Sequence, residues 1–297
     1  MGIQIRHYPQ EAFCADFFRV ADFLKQHGAH GLNTNWHWAR WEWLLGHPNL
    51  DKATLPQIGI FEQDGKIVGI ATHDMRPGRA YIVCNPGFQH IKPEMVQYAE
   101  ENLANNGESG IYIHDKDEVL IDCAKASGYG VCDQKEYVLA RDLRKGGLSY
   151  KLDSGFYITD YSISKDQSKY SRVIWKGFNH EGLPPIVTET DALGTPHENP
   201  ELAVFVAAPD GEYAAHCGTW YLSGTKEAYI EPVVTVPEHR KRGLGKAAVY
   251  ESIARCMKMG AQTALVLSNQ QFYHKIGFEA CSVYTLWKKN VNARPAP

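Results

Sequence analysis

The chain has 297 residues, 44% hydrophobic and 22% charged, with a formal net charge of -3 when histidines are neutral. That length suits two domains with separate cores, and that charge supplies no global basic field for nucleic acid or an anionic membrane. The seven cysteines are odd in number and scattered, without a CxxC pair or a histidine at ligand spacing, so they read as buried reduced thiols and no metal is expected.

At the N-terminus, Met1 to Pro9 carries no apolar signal core, and no stretch of the chain approaches 18 uninterrupted apolar residues. The expectation is a cytoplasmic protein, monomer or homodimer, with a small-molecule partner and neither nucleic acid nor membrane. Helical patterns cover Glu11 to Gln26 and Asn35 to Leu45. Around the second, Asn33 to Pro48 holds Trp36, Trp38, Trp41 and Trp43 with His37, Arg40 and Glu42. Their spacing sends some tryptophans to different sides, which favours core packing over a wall for a cationic acceptor.

Next, Ile58 to Phe61, the turn Asp64-Gly65 and Val68 to Thr72 read as a hairpin, because an apolar run meets a glycine turn and resumes. Strand Ala80 to Val83, helix Lys92 to Ala104, strand Gly110 to His114, a helix ending at Gly128-Tyr129 and strand Glu136 to Arg141 follow. Asp142 to Gly155, with Lys145-Gly146-Gly147, reads as a linker, so the boundary is placed near Gly146, giving domains 1–145 and 146–297.

Beyond it the same order returns. Helix Asp166 to Asn179 precedes hairpin Leu202 to Val206, Asp210-Gly211 and Tyr213 to Tyr221. Strand Ala228 to Val236, helix Gly245 to Met259, strand Thr263 to Ser268, a helix ending at Gly277-Phe278 and strand Ser282 to Lys288 complete it. Gly65 pairs with Gly211 and Gly128 with Gly277, about 150 residues apart, which points to a duplicated domain. Each half is a mixed α/β layer structure, too rich in hairpins for a doubly wound parallel sheet.

The chemistry concentrates at Arg240-Lys241-Arg242-Gly243-Leu244-Gly245, where a strand, a tight turn and a helix start are compressed. Glycines at 243 and 245 let backbone amides close on a ligand, and the helix start points unsatisfied N–H groups at the turn. This is a cradle for phosphate oxygens, with the three basic side chains adding charge; the bland alternative is a solvated basic turn. The first half has Asn85-Pro86-Gly87-Phe88-Gln89-His90-Ile91-Lys92-Pro93 at that place, without the glycine pair or the arginines, so it is expected to be non-catalytic.

Val236 to Gly245 resembles the signature of GNAT acetyltransferases: Arg or Gln, two residues, Gly, one residue, Gly or Ala, after a strand and opening a helix. Asn269 to Phe278 resembles that family's second motif. The resemblance covers nearly the whole chain, strongly from about residue 201 onward, and is to tandem members with one degenerate repeat. It implies two GNAT-like domains, each a mixed, mainly antiparallel twisted sheet flanked by helices. It also implies acetyl-CoA as cosubstrate, its diphosphate held by Arg240, Lys241, Arg242, Gly243, Leu244, Gly245 and Lys246. Its pantetheine arm would lie on a splayed strand, bonded by Val234, Thr235 and Val236 and by Asn269.

The implied reaction is direct attack of an amine on the thioester in a ternary complex, the acceptor being a small molecule or an aminoacyl group. Glu231 is the leading base, with His216 and Tyr213 ranked below it, and an ordinary packing role for Glu231 stays open. Tyr273 occupies the general-acid position, the alternative being core packing for Tyr273 and helix capping for Asn269. Val234 N–H is one candidate for the oxyanion. Transfer of a different acyl group and a non-catalytic acyl-CoA sensor remain the rival readings.

Overall fold

The computed structural model describes residues 2–28, 31–184 and 194–290. Two compact units form. One gathers the chain up to Leu139, Leu267–Gln270 and the segment from Ala280 onward; the other holds Ala140–Val266 and Gln271–Glu279.

The first unit begins with β1 (Gln4–His7), α1 (Ala15–His27) and α2 (Trp38–Gly46), then β2 (Gly59–Gln63), β3 (Lys66–His73) and β4 (Ala80–Cys84). It continues with α3 (Lys92–Asn102), β5 (Glu108–His114), α4 (Glu118–Ala126) and most of β6 (Gly130–Asp142). In α1, Phe17, Val20, Ala21 and Leu24 are fully buried, the spacing of one helical face. Strands β1 to β4 pair antiparallel in sequence, and β4 pairs parallel with β5.

The second unit takes the end of β6, then β7 (Tyr157–Asp160), α5 (Tyr161–Ser164), α6 (Gln167–Gly177), β8 (Val204–Ala207) and β9 (Tyr213–Trp220). After these come β10 (Glu227–Thr235), α7 (Leu244–Met259), β11 (Thr263–Leu267) and α8 (Gln271–Lys275). Strands β7 to β10 pair antiparallel in sequence, and β10 pairs parallel with β11. Helices α6 and α7 both pack on β9, every residue of which is buried, as expected of a strand covered on both faces. The mixed, mainly antiparallel architecture expected from the sequence is present.

The C-terminal strand β12 (Glu279–Asn290) departs from the expected division at residue 145. Its segment from Ala280 sits in the first unit, antiparallel to β5 from Tyr284↔His114 to Asn290↔Glu108. Side chains fix that placement. Lys289 meets Glu100 at 2.7 Å, Lys288 meets Glu108 at 3.0 Å, and Trp287 packs on the core around Met95 and Ile111.

Candidate active site

Strands β10 and β11 run together only briefly. Their parallel ladder extends from Glu227↔Thr263 to Tyr229↔Leu265, whereas β10 continues along β9 as far as Thr235↔Ala215. The edge of β10 beyond Tyr229 is therefore open on the β11 side. The register against β9 shifts between Ile230 and Val233, a bulge containing Glu231 and Pro232, whose peptide bond is cis. Gly218 faces this bulge, and a Cβ there would lie 2.5 Å from the Glu231 carbonyl. The same carbonyl accepts from Trp220 Nε1 at 3.2 Å, so Glu231 is held from both sides where the strands part.

Backbone direction alternates along a strand, and Val236 N–H donates to the Ala214 carbonyl at 3.0 Å. Val234 N–H accordingly faces β9 as well, which removes it as the oxyanion donor. Val233 and Thr235 face the opening, and the Thr235 carbonyl accepts from Arg240 Nε at 3.0 Å. The side chains of Val234 and Val236 pack with Val173, Phe205 and Tyr213 in the core under α6.

After Val236 the chain makes a 3-10 turn, Pro237–His239, and then the cradle loop. Lys241 and Gly243 have φ of 63° and 78°; the left-handed geometry is free for glycine and costs about 1–2 kcal/mol for lysine. Gly243 is the N-cap of α7 and provides no side-chain cap. Among the described residues, the N–H groups from Lys241 to Lys246 meet no protein acceptor, and the ladder of α7 resumes with Ala247 N–H to the Gly243 carbonyl. Gly245 is buried, and a Cβ on it would stand 2.9 Å from Thr235 Oγ1 and 3.6 Å from the Phe272 ring. Uncapped amides at the positive end of a sixteen-residue helix form a site for phosphate oxygens.

The arginines are arranged differently from the expectation that all three basic side chains flank the ligand. Arg240 reaches the Gly177 carbonyl at 3.0 Å and Asn179 Oδ1 at 2.7 Å, while Arg242 pairs with Asp153 at 2.8 Å and lies over the Phe156 ring. Both anchor the loop's shape. Lys241 is exposed, and Lys246, in the first turn of α7, has its Nζ 5.0 Å from the Tyr250 ring centroid.

Tyr273 is buried in the one-turn helix α8, between Phe272 and Phe278. Burial, with the Cys217 thiol and the Glu231 carboxylate nearby, holds its phenol well above the usual value. It therefore keeps its proton at neutral pH and shares an electrostatic environment with Glu231. Asn269 lies in the exposed loop before α8, not on the helix. Asn269 therefore does not share a helical face with Tyr273, contrary to the expectation from their spacing.

The lower-ranked bases are core residues. Tyr213 is stacked on Phe205 at 4.2 Å. His216 is wholly buried, its Nδ1 donates to the Val204 carbonyl at 3.1 Å, and burial drives its pKa down to about 3. A ring that stays neutral when folded but protonates near pH 6.5 when unfolded adds stability above that pH, and the contribution is lost as pH falls toward 3. We expect His216→Phe to flatten the acid side of the stability profile. Urea midpoints at pH 7, 5 and 4 check this; equal losses in both proteins contradict it.

In the first unit the β4–β5 parallel ladder also stops early, at Tyr81↔Tyr112. No cradle follows, because Pro86–Ile91 forms a 3-10 helix leading straight into α3, with Asn85 Oδ1 accepting from Gly87 N–H. Lys92, where α3 starts, is buried, with Nζ 2.6 Å from both carboxylate oxygens of Asp117. Removing one member of such a pair strands a buried charge, so Lys92→Ala is expected to cost about 3–5 kcal/mol. A drop in the urea midpoint measures this; an unchanged midpoint contradicts it.

Trp36, Trp38 and Trp41 are buried, and the Arg40 guanidinium already lies 4.4 Å from Trp36 and 4.5 Å from Tyr81. Core packing is the role of this stripe. Among the described residues, no helix is long and apolar enough to cross a membrane, and no group of three His, Cys, Asp or Glu could hold a metal ion.

The model of the Acetyltransferase (GNAT) family matches residues 168–278, a span that runs from α6 through the cradle to the turn after Tyr273. The likeness to the GNAT acetyltransferase family is thus carried by residues 168–278. Solved structures extend the likeness beyond this GNAT segment. A GCN5-related N-acetyltransferase from Sphaerobacter thermophilus aligns at 18% identity over 98% of this chain and 96% of that one, with a TM-score of 0.62. A tandem GNAT protein from the clavulanic acid biosynthesis pathway aligns at 11% identity over 99% and 100%, with a TM-score of 0.58. A GCN5-related N-acetyltransferase from Kribbella flavida gives 13%, 76% and 88%, and 0.53. These likenesses show the fold, that of a tandem GNAT protein. No curated protein matches the sequence.

Proposed function

We propose that the protein is an N-acetyltransferase that moves an acetyl group from acetyl-CoA to a primary amine, of a small molecule or an aminoacyl group, in a ternary complex. The observation that carries this reading is the uncapped run of amides from Lys241 to Lys246 beside the open edge of β10. The amides and Lys241 bind the diphosphate of the acyl-CoA. Val233 and Thr235 present backbone groups to the pantetheine arm, much as an added strand would be bound.

An amine with a pKa of about 10.4 must lose a proton to attack, and Glu231 at the bulge takes it, directly or through water. A C–N bond then forms at the thioester carbonyl, and the C–S bond breaks. Tyr273 gives its phenolic proton to the departing sulfur, which leaves as the thiol, and the phenol is reprotonated by the second proton that the nitrogen sheds after attack. We propose further that it works in the cytoplasm, as a monomer or homodimer, without a metal, nucleic acid or membrane partner.

Thiol release from acetyl-CoA across a panel of primary amines tests the proposal. Release that depends on one class of amine supports it; binding of acetyl-CoA without release from any amine favours an acyl-CoA sensor, and release with only a longer acyl donor reassigns the acyl group.

A further inference from the structure

We propose that Arg141 is a positioning residue for Tyr273, an inference that rests on the role just given to that phenol. Helix α8 is five residues long, too short to hold its geometry through its own hydrogen bonds. Its end is fixed from outside. Arg141 Nη1 donates to the Ile276 carbonyl, immediately after the helix, and Tyr250 Oη donates to the same oxygen at 3.2 Å. Arg141 Nη2 reaches the Gly146 and Gly147 carbonyls at 2.9 and 3.3 Å, so the fork is itself anchored.

Within the turn, the Tyr273 carbonyl accepts from Ile276 and Phe278 N–H groups, and Gly277 takes a φ of 83°. A Cβ on Gly277 would collide with the Arg141 guanidinium. The pitch of the turn that carries Tyr273 is thus set by a cation at the helix C-terminus, where it also meets the favourable end of the dipole. Tyr250 extends the connection. Its ring carries the Arg141 guanidinium and Lys246 Nζ, each 5.0 Å from the centroid, so one aromatic side chain touches both the acid-bearing turn and the cradle. Sequence motifs do not reveal this, because Arg141 comes from the last strand of the first repeat.

A displaced phenol slows the reaction without loosening the nucleotide, and misplacement by about 1 Å can cost on the order of a hundredfold in rate. Arg141→Ala and Arg141→Lys, each alone and with Tyr273→Phe, provide the test, together with amide hydrogen exchange over residues 271–278. The expected result is faster exchange there in Arg141→Ala at an unchanged KM for acetyl-CoA, with kcat lowered about ten- to a hundredfold. Lysine, retaining the charge and an N–H donor group but not the planar fork, should recover part of the loss. In the Tyr273→Phe background the Arg141 substitutions should add less than about twofold, since the two residues act as a unit.

Equal fold losses in both backgrounds, or exchange unchanged by Arg141→Ala, would overturn the proposal. If Tyr273→Phe alone turns over like the wild type, the role assigned to that phenol is what fails, and the exchange result still decides whether Arg141 holds the turn.

Discussion

Gly245→Val is expected to weaken acyl-CoA binding at least about a hundredfold, close to 2.7 kcal/mol. Gly245 stands where α7 begins, its missing Cβ leaving 2.9 Å to Thr235 Oγ1 and 3.6 Å to Phe272. A β-branched side chain there has few rotamers with which to avoid both neighbours. The helix start must then retreat from β10, and the amides at Lys241 to Lys246 lose their common focus. Calorimetric titration with coenzyme A reads the effect, with circular dichroism as a check on folding. Gly243→Ala separates conformation from crowding, because no atom lies within 4 Å of that Cβ, yet φ is +78°; it should weaken binding by a smaller factor. Wild-type affinity in folded Gly245→Val contradicts the cradle.

Tyr273→Phe is expected to lower kcat about a hundred- to a thousandfold while leaving coenzyme A affinity within about twofold. The phenol is buried and protonated throughout the neutral range, so phenylalanine removes the donor but keeps the ring packed against Phe272 and Phe278. Steady-state thiol release with direct titration of the cofactor makes the comparison. Unchanged kcat assigns Tyr273 to packing alone.

Much of this arrangement was legible because local patterns carry local structure. The glycines and arginines of 240–245 announced the turn before α7, and the apolar runs around Asp64-Gly65 and Asp210-Gly211 announced both hairpins. What the sequence left hidden is non-local. The alternation Tyr284, Leu286 is satisfied equally by any sheet with an open edge, so nothing in it says that β12 pairs with β5; Lys288 with Glu108 and Lys289 with Glu100 decide that in space.

The direction of individual donors was hidden for a related reason. Val234 and Thr235 are adjacent valine-like positions in sequence, and only the Val236 to Ala214 bond shows which faces the opening. Likewise, Arg240 and Arg242 read as cations flanking the cradle until Gly177, Asn179 and Asp153 are brought beside them. The bulge at Glu231 could have been suspected from Glu231-Pro232 opposite a strand glycine, although Gly218 gains its meaning only with the β9 register.

Titration of the purified protein with coenzyme A and, in parallel, with pantetheine bears most directly on the diphosphate cradle. Saturable one-to-one binding of the first, with at least about tenfold weaker binding of the second, is the predicted result, since the uncapped amides recognise phosphate oxygens. Equal affinity for both, or no binding of coenzyme A, contradicts the account.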